Sequence, residues 1–347
     1  MSKLIDVDAY IARLVSQGVV QSELALAIGA LANATRALAK IVASGAVKGG
    51  LATKLKADNG SGDAQTRLDV LANEIVMARV SETPVAWLAS EECETTVSIA
   101  PGAPFSIAID PLDGSSNIET NAPIGTIFSI LRTSPCGTSE GTFLQPGSGQ
   151  VAAGFVVYGP KCTLILTLGR GTVAFTLDPE LGCFVLTSEA MFVSEIAREF
   201  AINASNARHW SRTIRDYVED CVSGADGPRG RDFNMRWIAS LVAEAERILV
   251  RSGVYLYPRD SRIGYEHGRL RLIYEANPIA FLIEQARGAA TDGIMRVLDL
   301  KPTHIHQRTP FVFGSRGEVE LIARYACGLE GRSRSHQLFS DRGLLRH

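Results

Sequence analysis

An apolar run, Ile107 to Ile109, ends at Asp110; Pro111 and Leu112 follow, then Asp113 and the small residues Gly114, Ser115, Ser116 and Asn117. Hard divalent cations take oxygen ligands, and Mg2+ usually takes one or two carboxylates together with a substrate phosphate. Two carboxylates three residues apart in a proline-containing turn can face one ion, with the Leu112 carbonyl between them as a third oxygen. The Gly-Ser-Ser-Asn stretch lets backbone N–H groups approach a phosphate at a helix N-terminus or nest. An acidic surface turn would account for the two aspartates alone. The apolar strand before them and the small residues after them favour metal-assisted phosphate hydrolysis.

Three further groups could join that chemistry. Glu91 and Glu92 follow the apolar run VAWLAS; adjacent acids are ordinarily solvated, but at a strand end one could bridge metals while its neighbour polarises water. Glu275 also sits at a strand end, before Asn277-Pro278, a weak signal by itself. Arg236-Trp237, Tyr255 with Tyr257, and Arg269 with Arg271 could clamp a second anionic group, since the planar guanidinium pairs bidentately with phosphate. The bland alternative for each is a surface ion pair or an aromatic core. His304 and His306 have HxH spacing, but nothing near them in the sequence completes a metal set.

The chain behind these residues has 347 residues, 46% hydrophobic and 21% charged, with a formal charge of −2. That size supports two ordinary domains or one large one, with a core that needs no disulfides. Near-neutral charge offers no global field for nucleic acid or an anionic membrane. The six cysteines, Cys93, Cys136, Cys162, Cys183, Cys221 and Cys327, contain no CxxC pair, so zinc and dithiol redox sites lack their spacing. No signal-peptide pattern opens the sequence. The most apolar stretch, 24–47, is interrupted by Asn33, Arg36 and Lys40 and reads as a buried helix. These features suggest a cytoplasmic protein.

The elements that must position the site follow from periodicity. Ser22 is placed to cap a helix over 23–44, and 68–80 has a second helical period. Residues 48–62 are rich in Gly, Lys, Asp and Asn and read as a mobile loop, expected to close over the metals. From Phe105 onward, short β-rich runs separated by turns predict a largely antiparallel sheet. Helices return after about residue 194, over 235–252 and from Asn277-Pro278 to Gly288, with VYLYP and RLIYE as strands between them. Helices on a sheet followed by an α/β half predict an α+β or α/β protein of two tightly packed halves, 1–195 and 196–330. The polar tail 331–347 is expected to be partly disordered.

The segments LDVLAN, SEE, DPLDGSSNI, GTIFSI, FAIN, LYP, LRLIYEANP and PTHIHQR together resemble the class I fructose-1,6-bisphosphatases, within the lithium-sensitive, metal-dependent sugar phosphatases. The resemblance runs from the first helix to about residue 325. It implies alternating layers in the order α-β-α-β-α. It also implies two or more Mg2+ ions per subunit, with Mn2+ as a substitute, on Asp63, Glu91, Asp110, the Leu112 carbonyl, Asp113 and Glu275. Glu92 and Asp69 would act on the attacking water. The N–H groups of Gly114, Ser115 and Ser116, next to Asp113, would hold the 1-phosphate of fructose 1,6-bisphosphate, with Arg271 beside it. Asn203, Tyr257 and Arg269 would bind the 6-phosphate, with Asn206 close by and Arg236 donated by a neighbouring subunit of a homotetramer.

The sequence departs from the family pattern in places. Arg269 replaces a usual lysine, and Asn206 and Trp237 replace common tyrosines, changes that could admit sedoheptulose 1,7-bisphosphate. Pro104-Phe105 replaces a Lys-Tyr pair of the animal enzymes' nucleotide site, although Arg132 remains, so weak or absent inhibition by AMP is expected. Only Cys136 lies where the chloroplast forms carry a redox loop, so thioredoxin control is not expected. These features point to a bacterial enzyme of gluconeogenesis or a carbon-fixation cycle. The alternatives are a dual or preferential sedoheptulose-1,7-bisphosphatase, an inositol monophosphatase, or a non-catalytic regulator, which would be expected to lose carboxylates that are all present here.

Overall fold

The computed structural model describes residues 4–45, 53–59 and 63–326. The tail 331–347, Cys327 and part of the 48–62 segment therefore lie outside the described residues. Within that segment, Lys54–Asn59 is a strand paired antiparallel with Asp63–Thr66, where a loop was expected.

The helices Val7–Ser16, Ser22–Ser44 and Arg67–Val80 form the first layer. Their apolar positions, among them Ile28, Leu31, Leu38, Leu68 and Val76, are buried against Phe105, Ile107, Ile109 and Phe128 of a sheet. Ser22 is the first residue of its helix rather than the cap; its hydroxyl donates to Glu23 at 3.0 Å, and Gln21 takes the cap position. Ser22–Ser44 is the one helix among the described residues long and apolar enough to cross a bilayer, and half of its most apolar window is buried in the protein.

The sheet has eight strands. Phe105–Asp113 lies between Val85–Ser90, to which it is parallel, and Ile124–Arg132, to which it is antiparallel. Gln150–Tyr158, Cys162–Thr167, Thr172–Leu177 and Phe184–Ser188 continue outward, each antiparallel to the last. Both faces are covered, and all nine residues of Phe105–Asp113 are buried. That is why FSIAID reads as a continuous apolar run rather than an alternating one.

Helices Leu241–Arg251 and Asn277–Gln285 cover the second face and form the third layer. A five-stranded sheet follows, built on Glu199–Ala201, Val254–Tyr257 and Phe311–Gly314 with Asn234–Met235 and Ala289–Thr291 at its edges. Helices Arg212–Val222 and Arg316–Ala326 close its outer face. The order of layers is thus α-β-α-β-α.

Two expected elements differ. The helix over 235–252 begins at Leu241, because Met235 belongs to a short parallel strand and the Arg236 N–H donates to the Phe200 carbonyl at 2.8 Å. Ser240 caps it, after Ala239 at φ +60°. RLIYE is not one strand. Leu270–Arg271 pairs with Arg308–Thr309, then Leu272–Ala276 winds as a single π turn into Asn277–Gln285. Asn277 therefore sits inside a helical run rather than capping one.

Candidate active site

Asp110 and Asp113 stand at the buried end of the central strand. The ladder to Ile124–Arg132 shifts register between them, from Asp110 opposite Ile127 to Asp113 opposite Gly125. This irregularity lets two residues three apart turn toward one point, and such bulges re-aim side chains next to active sites. Glu275 arrives from the other side on the π turn, a geometry often found at functional sites. Oxygen atoms of Asp110, Asp113 and Glu275 lie within 4.8 Å of one another, and all three residues are buried.

Local bonds fix each group. The Leu112 N–H donates to Asp110 Oδ1 at 2.9 Å, and the Val242 N–H, in the first turn of Leu241–Arg251, donates to Asp113 Oδ2 at 3.3 Å. That N–H is one of the helix's unpaired N-terminal donors, where the dipole favours an anion. Gly125 allows the approach, since a Cβ there would meet the Val156 carbonyl oxygen at 2.3 Å and Val242 Cγ2 at 2.7 Å. The Arg271 N–H donates to Glu275 at 2.5 Å, while its side chain reaches Glu91 at 3.3 Å and the His306 carbonyl at 3.2 Å. His306 Nε2 in turn lies 3.0 Å from the Cys93 carbonyl, so the 301–308 segment ties Arg271 to the turn bearing Glu91 and Glu92.

The cluster is electrostatically frustrated as it stands. Burial, then the charges of Glu91, Asp113, Glu275 and Glu92, push the Asp110 carboxyl well above the ordinary range. Burial and Glu91 push Asp113 up to about 7, against the Val242 N–H. Glu275 is raised well above its usual value by burial, Glu91 and Asp113. Oxygen-only donors, buried and mutually repelling, fit a hard divalent cation. The residues present therefore suit the metal that the fold family uses.

Glu92 accepts from Gln65 Nε2 at 2.5 Å, and its N–H donates to the Ser90 hydroxyl at 3.3 Å. Asp69 forms a capping box with Thr66, with the Thr66 N–H on Asp69 Oδ2 at 2.6 Å; its Oδ1 is buried without a protein hydrogen bond. Burial raises the Asp69 carboxyl, opposed by Thr66 and by the Ser115 hydroxyl, so Asp69 stands beside the Ser115–Asn117 turn. Gly114, at φ +80°, starts a 3-10 turn over Ser115–Asn117. The Asn117 side chain holds that turn to the Ala239 carbonyl at 2.9 Å. The side chain of Asp63 lies outside the described residues.

The second group of residues gathers elsewhere. Asn203, Asn206 and Tyr257 line one cavity, together with Asp260, Arg262 and Tyr265. Arg269 lies over the Tyr265 ring at 4.8 Å. Trp237, Tyr255 and Tyr257 stack with centroids 5.8 to 6.3 Å apart. Burial, then Tyr257, Glu244, Asp113 and Glu275, push the Tyr255 hydroxyl well above its usual value. Arg236 is half-exposed, with Nε 3.6 Å from Glu199. Asp260, Arg262, Tyr265 and Val242 escaped a sequence reading, while His306, set aside there as a metal ligand, accepts from Arg271 at its carbonyl. Only Tyr265 carried a signal, an aromatic four residues before Arg269.

Family models for the fructose-1-6-bisphosphatase N-terminal and C-terminal domains match residues 11–189 and 193–326. The chain belongs to the fructose-1,6-bisphosphatase family. It is 51% identical over 325 residues to the class 1 fructose-1,6-bisphosphatase of Methylorubrum extorquens, covering 94% of this chain and 93% of that protein. The class 1 fructose-1,6-bisphosphatase of Sinorhizobium medicae is 50% identical over 342 residues, 98% of each chain. Among solved structures, the Leishmania major fructose-1,6-bisphosphatase in holo form superposes with TM-score 0.86 at 30% identity, covering 94% of this chain and 99% of that one. The family's metal dependence agrees with the acid cluster, and the α+β layers with the fold.

Proposed function

We propose that this chain hydrolyses the 1-phosphate of fructose 1,6-bisphosphate, giving fructose 6-phosphate and inorganic phosphate. The observation that carries the reading is the buried triad of Asp110, Asp113 and Glu275 beside the Gly114–Ser116 turn, in a chain about half identical to class 1 fructose-1,6-bisphosphatases.

Asp110, Asp113 and Glu275, with Glu91, the Leu112 carbonyl and Asp63, would hold two or more Mg2+ ions, for which Mn2+ can substitute. Bound there, the ions neutralise charge on the phosphate oxygens and acidify water. Glu92, oriented by Gln65 and Ser90, takes the proton of the attacking water, and the unpartnered Asp69 oxygen steadies that water near Ser115. The N–H groups of Gly114, Ser115 and Ser116 and the Arg271 guanidinium hold the 1-phosphate. Asn203, Asn206, Tyr257 and Arg269 hold the distal phosphate. Half-exposed Arg236, leaning on Glu199 at its neck, reaches a neighbouring subunit of a homotetramer. The setting is the cytoplasm, with a small-molecule partner and no nucleic acid or membrane.

The test is phosphate release from fructose 1,6-bisphosphate and from sedoheptulose 1,7-bisphosphate, with Mg2+ and with EDTA. Metal-dependent release from the first substrate, at the higher kcat/KM, is expected. A higher value for the second would make the chain a sedoheptulose-1,7-bisphosphatase. No release from either by folded protein would leave a non-catalytic member of the family.

A further inference from the structure

The cavity lined by Asn203, Asn206 and Tyr257 contains a guanidinium that the site described so far does not use. Arg262 belongs to the segment 258–268 between Tyr257 and Arg269. That segment is internally bonded: the Tyr265 N–H donates to the Arg262 carbonyl at 3.0 Å and the Gly268 N–H to the Tyr265 carbonyl at 3.0 Å. The Ser261 N–H donates to the His209 carbonyl at 3.2 Å, which docks the segment on the 3-10 turn Ala204–His209 that carries Asn206. Gly268 is required there, at φ +79°, because a Cβ would lie 2.3 Å from the Thr309 and Pro310 backbone.

Within this frame Arg262 is held on two sides. Its Nε donates to Asp260 Oδ1 at 3.0 Å and its Nη2 to Oδ2 at 2.5 Å, a side-on pairing. Its Cζ lies 3.9 Å from the Tyr265 ring centroid, on the same ring that Arg269 approaches at 4.8 Å. Side-on pairing occupies the Nε–Nη2 edge of the planar fork and leaves the Nη1 edge to donate elsewhere. Nη1 makes no hydrogen bond among the described residues. The Asp260 side chain is 4% exposed and that of Arg262 30%, so the guanidinium shields a carboxylate that also lines the cavity.

We propose that Arg262 is an additional guanidinium ligand of the distal phosphate, and that Asp260 and Tyr265 are positioning residues for it and for Arg269. The inference rests on the fructose-1,6-bisphosphatase reading and deepens it. The Nη1 edge adds donors to those of Asn203, Asn206 and Tyr257, which line the same cavity. With Arg262 present the lining sets one guanidinium against one carboxylate; without it, Asp260 would face a phosphate dianion directly.

The experiment compares kcat/KM for fructose 1,6-bisphosphate with that for fructose 1-phosphate, which lacks the distal phosphate. Hydrogen bonds to a charged group make this ratio fall about tenfold or more in Arg262→Gln. It should recover in part in Arg262→Gln with Asp260→Asn, because the uncovered carboxylate is then gone. Arg296→Gln, a surface ion-pair variant, is the control and should keep the wild-type ratio. A ratio within twofold of wild type in Arg262→Gln overturns the proposal, and so does absence of any recovery in the double variant. If Arg262→Gln does not fold, Arg262→Lys carries the test, with a fall of threefold or more expected and a fall under twofold overturning it. A wild-type enzyme with no preference for the bisphosphate would instead sink the underlying reading of the cavity.

Discussion

Replacing Asp110 by Asn separates the two things its carboxylate does. The side chain is buried at 4% exposure, and its charge lies among those of Glu91, Asp113, Glu275 and Glu92. Asn keeps the shape and an Oδ1 that can still accept from the Leu112 N–H, a 2.9 Å bond. It removes one negative charge. At the 4.8 Å limit of the triad and an effective dielectric near 20, each ionised neighbour repels Asp110 by about 3 kcal/mol. Protons held by the cluster relieve part of that, so a gain of about 1–3 kcal/mol in metal-free stability is the expected scale. The variant should therefore melt a few degrees higher than wild type in EDTA. With Mg2+ the order should reverse, because wild type gains binding free energy in the folded state and the variant loses most of it. Turnover of fructose 1,6-bisphosphate should fall at least about a hundredfold, beyond the usual effect of losing an outer-shell partner. Thermal melts of both proteins in EDTA and in MgCl2, with phosphate release on the same samples, read all three effects. A variant less stable than wild type in EDTA, or one with near-normal kcat, would refute the assignment of Asp110 to a frustrated cation site.

Glu92→Gln should lower kcat by about 10^2 to 10^4-fold, the range for a lost general base, while keeping the Mg2+-induced rise in melting temperature; losing both would make Glu92 a ligand instead. Gly125→Ala should cost about 1–3 kcal/mol, because its Cβ would meet the Val156 carbonyl oxygen at 2.3 Å; it should also lower kcat by displacing the Val242 N–H from Asp113, and an unchanged melting temperature would contradict this. AMP should inhibit weakly or not at all, since Phe105 is buried under Arg132, whose Cζ lies 5.6 Å from its ring; inhibition at micromolar AMP in a phosphate-release assay would overturn that.

The strand that carries Asp110 and Asp113 was legible because its information is local. An apolar run ending in two aspartates and a glycine turn encodes both the strand and its terminus, and the bulge between Asp110 and Asp113 only refines their aim. Glu275 was legible as a residue but not as a backbone. Leu272–Ala276 is buried throughout and apolar except at Glu275, and such a run does not distinguish strand from helix by periodicity. The helix start at Leu241 was missed for a related reason. Met235, Trp237 and Ile238 have helical spacing, yet their segment is held extended by the Phe200 carbonyl and by Glu244, which accepts from the Ile238 N–H at 2.8 Å. A strand carbonyl distant in sequence and a glutamate in the following helix decided what local preference left open. The distal cavity was the least legible part, because Arg262 and Asp260 look like an ordinary surface pair until the fold sets them beside Asn203 and Tyr257.

The two matched portions of the chain, 11–189 and 193–326, each hold an incomplete site. The first supplies Glu91, Glu92, Asp110 and Asp113. The second supplies Glu275, the Arg271 guanidinium and the N-terminus of Leu241–Arg251, which meets Asp113 through the Val242 N–H. At the acid cluster, two bonds across this seam join a carboxylate of the first portion to a donor of the second, Asp113 to the Val242 N–H and Glu91 to the Arg271 guanidinium. Such bonds are strong when dry and costly when broken, since breaking them strands a buried charge. Cations entering the cluster therefore do more than prepare the chemistry. By neutralising Asp110, Asp113 and Glu275 together they remove the repulsion between portions, so metal occupancy and the packing of the two halves should be linked equilibria, with metal-free protein the state in which the seam opens first.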